Sequence, residues 1–216
     1  MLNLAMQLPR IYPLTDTRLS GLSHAEQVEL LSLGGATLIQ LREKHMPARE
    51  FYEQAKIAGR RGVQLIINDR VDVALAVGAQ GVHLGQDDMP PDAARKLLGP
   101  YAIIGFSTHN VEQAIAATQL PIDYLAIGPI FATTTKSDTA PVLGLDGLRT
   151  VREAIGRFPL VGIGGITASN ARDVIAAGAD SVAVISALLS DFTRIPEATR
   201  SLLQDLQDFS RLTSQT

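Results

Sequence analysis

Cysteine is absent from all 216 residues. That excludes a disulfide framework, a thiol nucleophile and a cysteine-based zinc site. An excess of charge of one sign is missing too. The formal net charge is −3, which gives no reason to expect nucleic acid or an anionic membrane as partner. No apolar run reaches the ~18 residues that would read as a membrane span. Met1–Pro9 has neither a basic start nor a long apolar centre, so the protein is expected in the cytoplasm. Linkers and low-complexity segments are lacking as well. The composition, 46 % hydrophobic and 19 % charged, is ordinary for a globular enzyme. Residues 1–216 are therefore expected to form one domain with a full core.

Strand-like and helix-like segments alternate along the whole chain. Apolar runs at Ile11–Leu14, Thr37–Leu41, Val63–Ile67, Gly81–Leu84, Ala102–Phe106, Ile122–Ile127, Leu160–Ile163 and Ser181–Ile185 read as strands. Helical periodicity fills the gaps: Ala25–Leu33, Ala48–Arg61, Val71–Gly78, Asp92–Leu98, Val111–Thr118, Leu145–Ile155 and Ala168–Ala177. A final amphipathic helix carries Ile195, Ala198, Leu202, Leu206 and Phe209 on one face. Gly-Ala recurs at three helix-to-strand junctions, Gly35-Ala36, Gly78-Ala79 and Gly178-Ala179, as if one backbone problem were solved the same way each time. A doubly wound open sheet would also alternate. Eight units in about 200 residues, with polar residues after most strands, favour a closed (β/α)8 TIM barrel, whose chemistry sits at the C-terminal ends of the strands.

Within Ile66–Pro90 two neighbouring parallel strands end in carboxylates, Asn68-Asp69 after one and Gln86-Asp87-Asp88 after the next. These carboxylates can cap the following helices, exchange protons with one another, or hold Mg²⁺ while substrate phosphates complete its shell. Strand two ends in Gln40, Arg42, Glu43 and Lys44, with Gln40 and Arg42 on one face. An inward arginine needs an anion; an internal ion pair to Asp69 satisfies that, and so does an oligophosphate clamp shared with Lys44.

After strand five, Ser107 can donate to a phosphate oxygen, and it or Thr108 can equally cap the next helix. Neither a Gly-x-Ser-x-Gly elbow nor partners for a His109 triad are present. His83 reads as a satisfied interior residue, His24 and His45 as loop residues, and no metal-binding histidine pair appears. The loop Gly128–Gly144, with Thr133, Thr134, Thr135 and Lys136, is far longer than the usual two to six residues and is expected to act as a lid. The run Gly162-Ile163-Gly164-Gly165 at the end of strand seven, and Ile185-Ser186 at the end of strand eight, fit a monophosphate site; a tight turn before the next helix is the structural alternative. Two anion sites suit two phosphorylated small-molecule substrates.

The motifs QLREK, INDR, GVHLGQDDMP, GFSTH, GPIFATTTK and GIGGI, spread between Ile11 and Ala187, resemble the thiamine-phosphate synthase family. Its barrel joins a hydroxymethylpyrimidine diphosphate to a thiazole phosphate. The resemblance implies that Gln40, Arg42, Lys44, Asn68, Ser107 and Lys136 hold the pyrimidine diphosphate, and that Asp69 and Asp88 hold Mg²⁺. It also implies that Thr133 and Thr135 contact the thiazole phosphate, with Gly165, Ile185 and Ser186 around its phosphate. Arg42, Lys44, Ser107 and Lys136 would be the catalytic set. A similar barrel, the thiazole tautomerase, has a histidine where this chain has Pro129. A non-catalytic thiazole-phosphate binder would have little use for paired carboxylates, and a sugar-phosphate isomerase would want a base that is not in evidence. Oligomeric state is open, and a homo-oligomer is compatible with the sequence.

Overall fold

The structure is a computed structural model that describes residues 6–133 and 140–213. In chain order its first half contains β1 (Ile11–Pro13), α1 (Thr17–Ser20), α2 (His24–Leu33), β2 (Leu38–Leu41), α3 (Ala48–Ala58), β3 (Gln64–Asn68), α4 (Val71–Val77), β4 (Gly81–Leu84) and α5 (Pro91–Leu98). The second half adds β5 (Ile103–Thr108), α6 (Val111–Ala117), β6 (Tyr124–Ile127), α7 (Gly144–Ile155), β7 (Leu160–Ile163), α8 (Ala171–Ala176), β8 (Ser181–Val184), α9 (Ser186–Leu189) and α10 (Ile195–Thr213). The eight strands form one parallel sheet in the order β1-β8-β7-β6-β5-β4-β3-β2. It closes where Leu14 bridges Gln40 and the Thr15 N–H donates to the Gln40 carbonyl at 2.9 Å. The result is the expected barrel.

Strand side chains alternate between two cores, as a pleat requires. Tyr12, Leu14, Leu38, Ile66, Tyr124, Ala126, Val161 and Ala183 fill the barrel interior. Their neighbours, such as Ile11, Ile39, Ile67, Val82, Ile104, Leu125 and Val182, pack outward against the helices. The long C-terminal helix buries Ile195, Leu202 and Leu206, the stripe its periodicity predicts. The three Gly-Ala junctions also hold: Gly35, Gly78 and Gly178 have φ of 99°, 65° and 113°, a region that other L-residues rarely occupy.

A second repeat lies beside two of those junctions and before β6. Before β4, β6 and β8, the residues Gln80, Asp123 and Asp180 each grip one residue of the preceding odd strand twice. Their backbone N–H groups donate to the carbonyls of Leu65, Ile104 and Leu160 at 3.0, 2.8 and 2.8 Å. Their side-chain oxygens accept the N–H groups of the same three residues at 2.6, 2.8 and 2.8 Å. Arg95 and Arg152 brace the two aspartates, each at 2.7 Å. These clamps sit where strands begin, the barrel face that serves stability rather than catalysis. Asp123→Ala strips Ile104 and Arg95 of a partner, at a cost of about 1–3 kcal/mol. Urea denaturation should show that loss, with Michaelis constants unchanged.

Candidate active site

Helix boundaries decide what the strand-end polar residues are free to do. Arg70 precedes α4 as its cap residue and makes no side-chain cap bond. Pro90 does the same for α5. The capping readings of Asp69, Asp87 and Asp88 are therefore corrected. β5 runs to Thr108, two residues beyond the expected end, so Ser107 and Thr108 lie within the strand. Asn110 caps α6 instead, accepting from the Gln113 N–H at 2.8 Å. α8 begins at Ala171 rather than Ala168, because Asn170 ties the preceding turn: it accepts from the Thr167 N–H at 2.8 Å and donates to the Gly165 carbonyl at 3.1 Å.

The freed groups line one cavity of about 750 Å³ at the C-terminal mouth of the barrel. Among its lining residues are Gln40, Arg42, Lys44, Asn68, Asp69, Asp88, Ser107, Thr133, Gly165, Ile185 and Ser186. Every expected site residue within the described residues is thus brought together. Thr135 and Lys136 lie outside the described residues.

One wall is charged. Asp69 has φ +62°, alone among the described non-glycine residues in the left-handed region. Aspartate tolerates that conformation better than most residues, and it turns the carboxylate towards Lys44, whose Nζ pairs with Asp69 Oδ2. Asp88 lines the same cavity and acts on the Asp69 carboxyl. Its own Oδ2 accepts the Gly85 N–H at 2.7 Å. Burial first, and Asp88 after it, push the Asp69 carboxyl up, against the pull of Lys44. Two carboxylates this close need either a shared proton or a cation between them. Beside them the Asn68 Nδ2 is buried with no hydrogen-bond partner, an orphan donor suited to a ligand oxygen. No cluster of three or more acidic, histidine or cysteine ligands occurs among the described residues. The pair therefore fits Mg²⁺, which keeps waters and takes substrate oxygens, better than a metal that needs an all-protein cage.

Arg42 does not pair with Asp69, as the internal ion-pair reading had it. Its Nη1 lies 3.8 Å from Asp16 Oδ2, and Lys44 takes Asp69. Behind them Glu43 organises the loop. Its Oε1 accepts the N–H groups of Lys44, His45 and Met46 at 2.7, 2.7 and 3.1 Å. Burial pushes the Glu43 carboxyl up, but these bonds and His24 outweigh it and hold it down to about 2. His24 is no loop residue: it opens α2 and is fully buried. Burial lowers its pKa in spite of Glu43. Its Nε2 donates to Glu43 at 3.2 Å, so Nδ1 accepts from Thr15 Oγ1 at 2.6 Å. Thr15 Oγ1 in turn accepts the Arg42 N–H at 3.2 Å.

The opposite wall is built from backbone. Gly164 and Gly165 have φ of 100° and 64°. A Cβ on Gly165 would stand 2.5 Å from the Ala132 carbonyl oxygen, so no larger residue fits. The first part of the expected lid is pinned to this turn: Ile130 N–H donates to Ile163 at 2.9 Å and Phe131 N–H to Gly164 at 3.0 Å. His109 donates from Nδ1 to the Gly128 carbonyl at 2.8 Å, anchoring the same loop. His83, interior as expected, bonds Ser107 and Tyr124.

A carboxylate-and-cation wall facing a glycine turn is what the six motifs anticipate, and wider comparison settles their origin. The sequence profile described as thiamine monophosphate synthase matches residues 11–188. The chain belongs to that family. As a member of it, the chain is 49 % identical over 206 residues to the thiamine-phosphate synthase of Chloroflexus aurantiacus, covering 92 % of this chain and 94 % of that one. It is 50 % identical over 188 residues to the enzyme of the same name from Albidiferax ferrireducens, covering 85 % of each. Among solved structures, thiamine phosphate pyrophosphorylase from Pyrococcus furiosus superposes with a TM-score of 0.85 at 40 % identity, over 96 % of this chain and 99 % of that one. The motifs that carried the family resemblance missed Tyr12, Thr15, Asp16, His24 and Tyr124 as groups supporting the site. These are joined to it by contacts across the barrel, which leave no local pattern.

Proposed function

We propose that this barrel is a thiamine-phosphate synthase. It couples an aminopyrimidine methyl diphosphate to a thiazole phosphate, giving thiamine phosphate and diphosphate. The whole chain acts as one domain, with its site at the C-terminal ends of the strands. The observation that carries the reading is the Asp69–Asp88 pair beside Lys44, in the same cavity as the Gly164–Gly165 turn. Asp69 and Asp88 would hold Mg²⁺, which, when bound, neutralises charge building up on the departing diphosphate.

The chain's own groups do the rest. Arg42 supplies a planar fork and Lys44 a point charge to the diphosphate, with Lys136 as a third cation. Asn68 Nδ2 and Ser107 Oγ donate to its oxygens, and Gln40 orients the pyrimidine. Thr133 and Thr135 contact the thiazole phosphate, whose phosphate rests on the backbone of Gly165, Ile185 and Ser186. The electron-rich aminopyrimidine carries positive charge on its methylene as the diphosphate leaves, and the thiazole nitrogen attacks it. Such a substitution needs electrostatic stabilisation rather than a strong base, which agrees with the lack of visible triad partners for His109 in the sequence. Pro129 stands where the thiazole tautomerase has its histidine, and the carboxylate pair has no purpose in a monophosphate binder. Thiamine phosphate should form from the two purified substrates with Mg²⁺ and not with EDTA. A folded protein that yields none under either condition would refute the coupling reaction.

A further inference from the structure

A hydrogen-bonded chain of five side chains crosses the barrel interior from one expected substrate contact to another. Gln40 Nε2 on β2 donates to the Tyr12 hydroxyl on β1 at 3.1 Å. That hydroxyl lies 2.8 Å from the Tyr124 hydroxyl on β6. Tyr124 is 3.0 Å from Nδ1 of His83 on β4, and His83 Nε2 is 2.8 Å from Ser107 Oγ on β5. Tyr12 and Tyr124 are fully buried and His83 is nearly so. Burial pushes both phenols up, so each keeps its single hydrogen.

The hydrogen count gives this chain a direction. With Gln40 donating to Tyr12, the Tyr124 hydroxyl is the acceptor within reach of the Tyr12 hydrogen. Tyr124 then gives its own hydrogen to His83 Nδ1. In the neutral ring the imidazole proton then sits on Nε2, where it is donated to Ser107 Oγ. The Ser107 hydroxyl hydrogen is left pointing at the cavity as a donor. With the links reversed, Ser107 would donate to His83 and offer the cavity a lone pair, the wrong polarity for an anion.

The backbone makes room for the meeting point. A Cβ on Gly105 would stand 2.3 Å from the Tyr124 hydroxyl oxygen and 2.5 Å from His83 Nδ1. The glycine in the GFSTH motif is thus the gap through which β4 and β6 touch across β5.

We propose that His83, set by Tyr124 and Tyr12, is a positioning residue that fixes Ser107 as a hydrogen-bond donor to the leaving diphosphate. The proposal rests on reading Ser107 as a diphosphate contact. Two measurements test it. In protein labelled with ¹⁵N-histidine, the NMR signals of His83 should report a neutral ring protonated at Nε2; protonation at Nδ1 would overturn the proposal without any variant having to fold. The second is a double-mutant cycle on thiamine phosphate formation. His83→Ala should lower kcat/KM for the pyrimidine diphosphate roughly ten- to a hundredfold, the worth of one bond to a charged group. KM for the thiazole phosphate should stay unchanged. His83→Gln, whose amide nitrogen replaces Nε2, should recover most of the loss, and Tyr124→Phe should fall in between. In a Ser107→Ala background, His83→Ala should cost almost nothing more. An undiminished cost there would overturn the positioning role while leaving the Ser107 contact intact. Wild-type activity of Ser107→Ala itself would remove that contact, and the proposal with it.

Discussion

Asp69→Asn is expected to reduce thiamine phosphate formation roughly a thousandfold, since several kcal/mol of charge stabilisation at the leaving diphosphate depend on the metal. The fold should survive. Asparagine tolerates the left-handed backbone as aspartate does, and the N–H of residue 69 keeps its bond to the His83 carbonyl at 2.9 Å. Lys44 loses its ion pair but has a half-exposed side chain that water can solvate. The melting temperature should move by no more than the ~2–4 °C that 1 kcal/mol represents in a chain of this size.

The sign of the pH dependence follows from the raised Asp69 pKa. In the metal-free protein the folded state holds this proton to a higher pH than the unfolded chain does. The corresponding stability is complete below the ordinary aspartate value, and it is lost as pH rises through the raised one. Mg²⁺ competes with the same proton, so its binding tightens over that range. Thermal melts of metal-free wild type and Asp69→Asn across acidic pH should show this slope in the first and not in the second. Full turnover in the variant, with unaltered Mg²⁺ dependence, would remove Asp69 from the metal site.

The parts of this architecture that were legible in the sequence are those whose cause is local. Each strand and its following helix carry their own periodicity, and the Gly-Ala junctions mark a backbone turn that needs positive φ. The local pattern ends β5 at Phe106, because Ser107 and Thr108 look like caps. Their place in the strand follows from pairing with Ala126 and Ile127 on β6, a non-local cause. The same limit explains His24, which a helix start next to Gly21-Leu22-Ser23 disguised as a loop residue. It also explains Arg42, whose partner Asp16 sits on a neighbouring strand end. The clamps of Gln80, Asp123 and Asp180 escaped for a different reason. Gln80 and Asp180 each follow a Gly-Ala junction, but one is an amide and the other a carboxylate, and Asp123 follows no such junction, so only the repeated geometry joins all three. The Tyr12–Tyr124 bond joins residues 112 apart in sequence, and no spacing rule reaches that far.

Lys44→Ala should separate two ligands that a purely structural lysine would affect alike. The Lys44 ammonium sits on Asp69 Oδ2, one oxygen of the carboxylate that would hold Mg²⁺, and a unit positive charge that near repels a divalent cation by about 1–2 kcal/mol even where water screens the pair. Removing it should let Mg²⁺ alone bind several-fold tighter at pH 8, as read by calorimetry. Turnover should move the other way. Without the cation the departing diphosphate loses a fixed counter-charge, and kcat/KM for the pyrimidine diphosphate should fall about a hundredfold. Lys44→Arg should restore the repulsion of Mg²⁺ but recover turnover poorly, because a planar fork does not replace a mobile point charge. At lower pH the gain in Mg²⁺ affinity should shrink in Lys44→Ala. With Lys44 gone, nothing opposes the effects of burial and of Asp88 on Asp69, and Asp69 holds its proton more firmly. If Lys44→Ala weakened Mg²⁺ and diphosphate use together, the lysine would be supporting the loop that Glu43 organises, and its assignment to the diphosphate would be wrong.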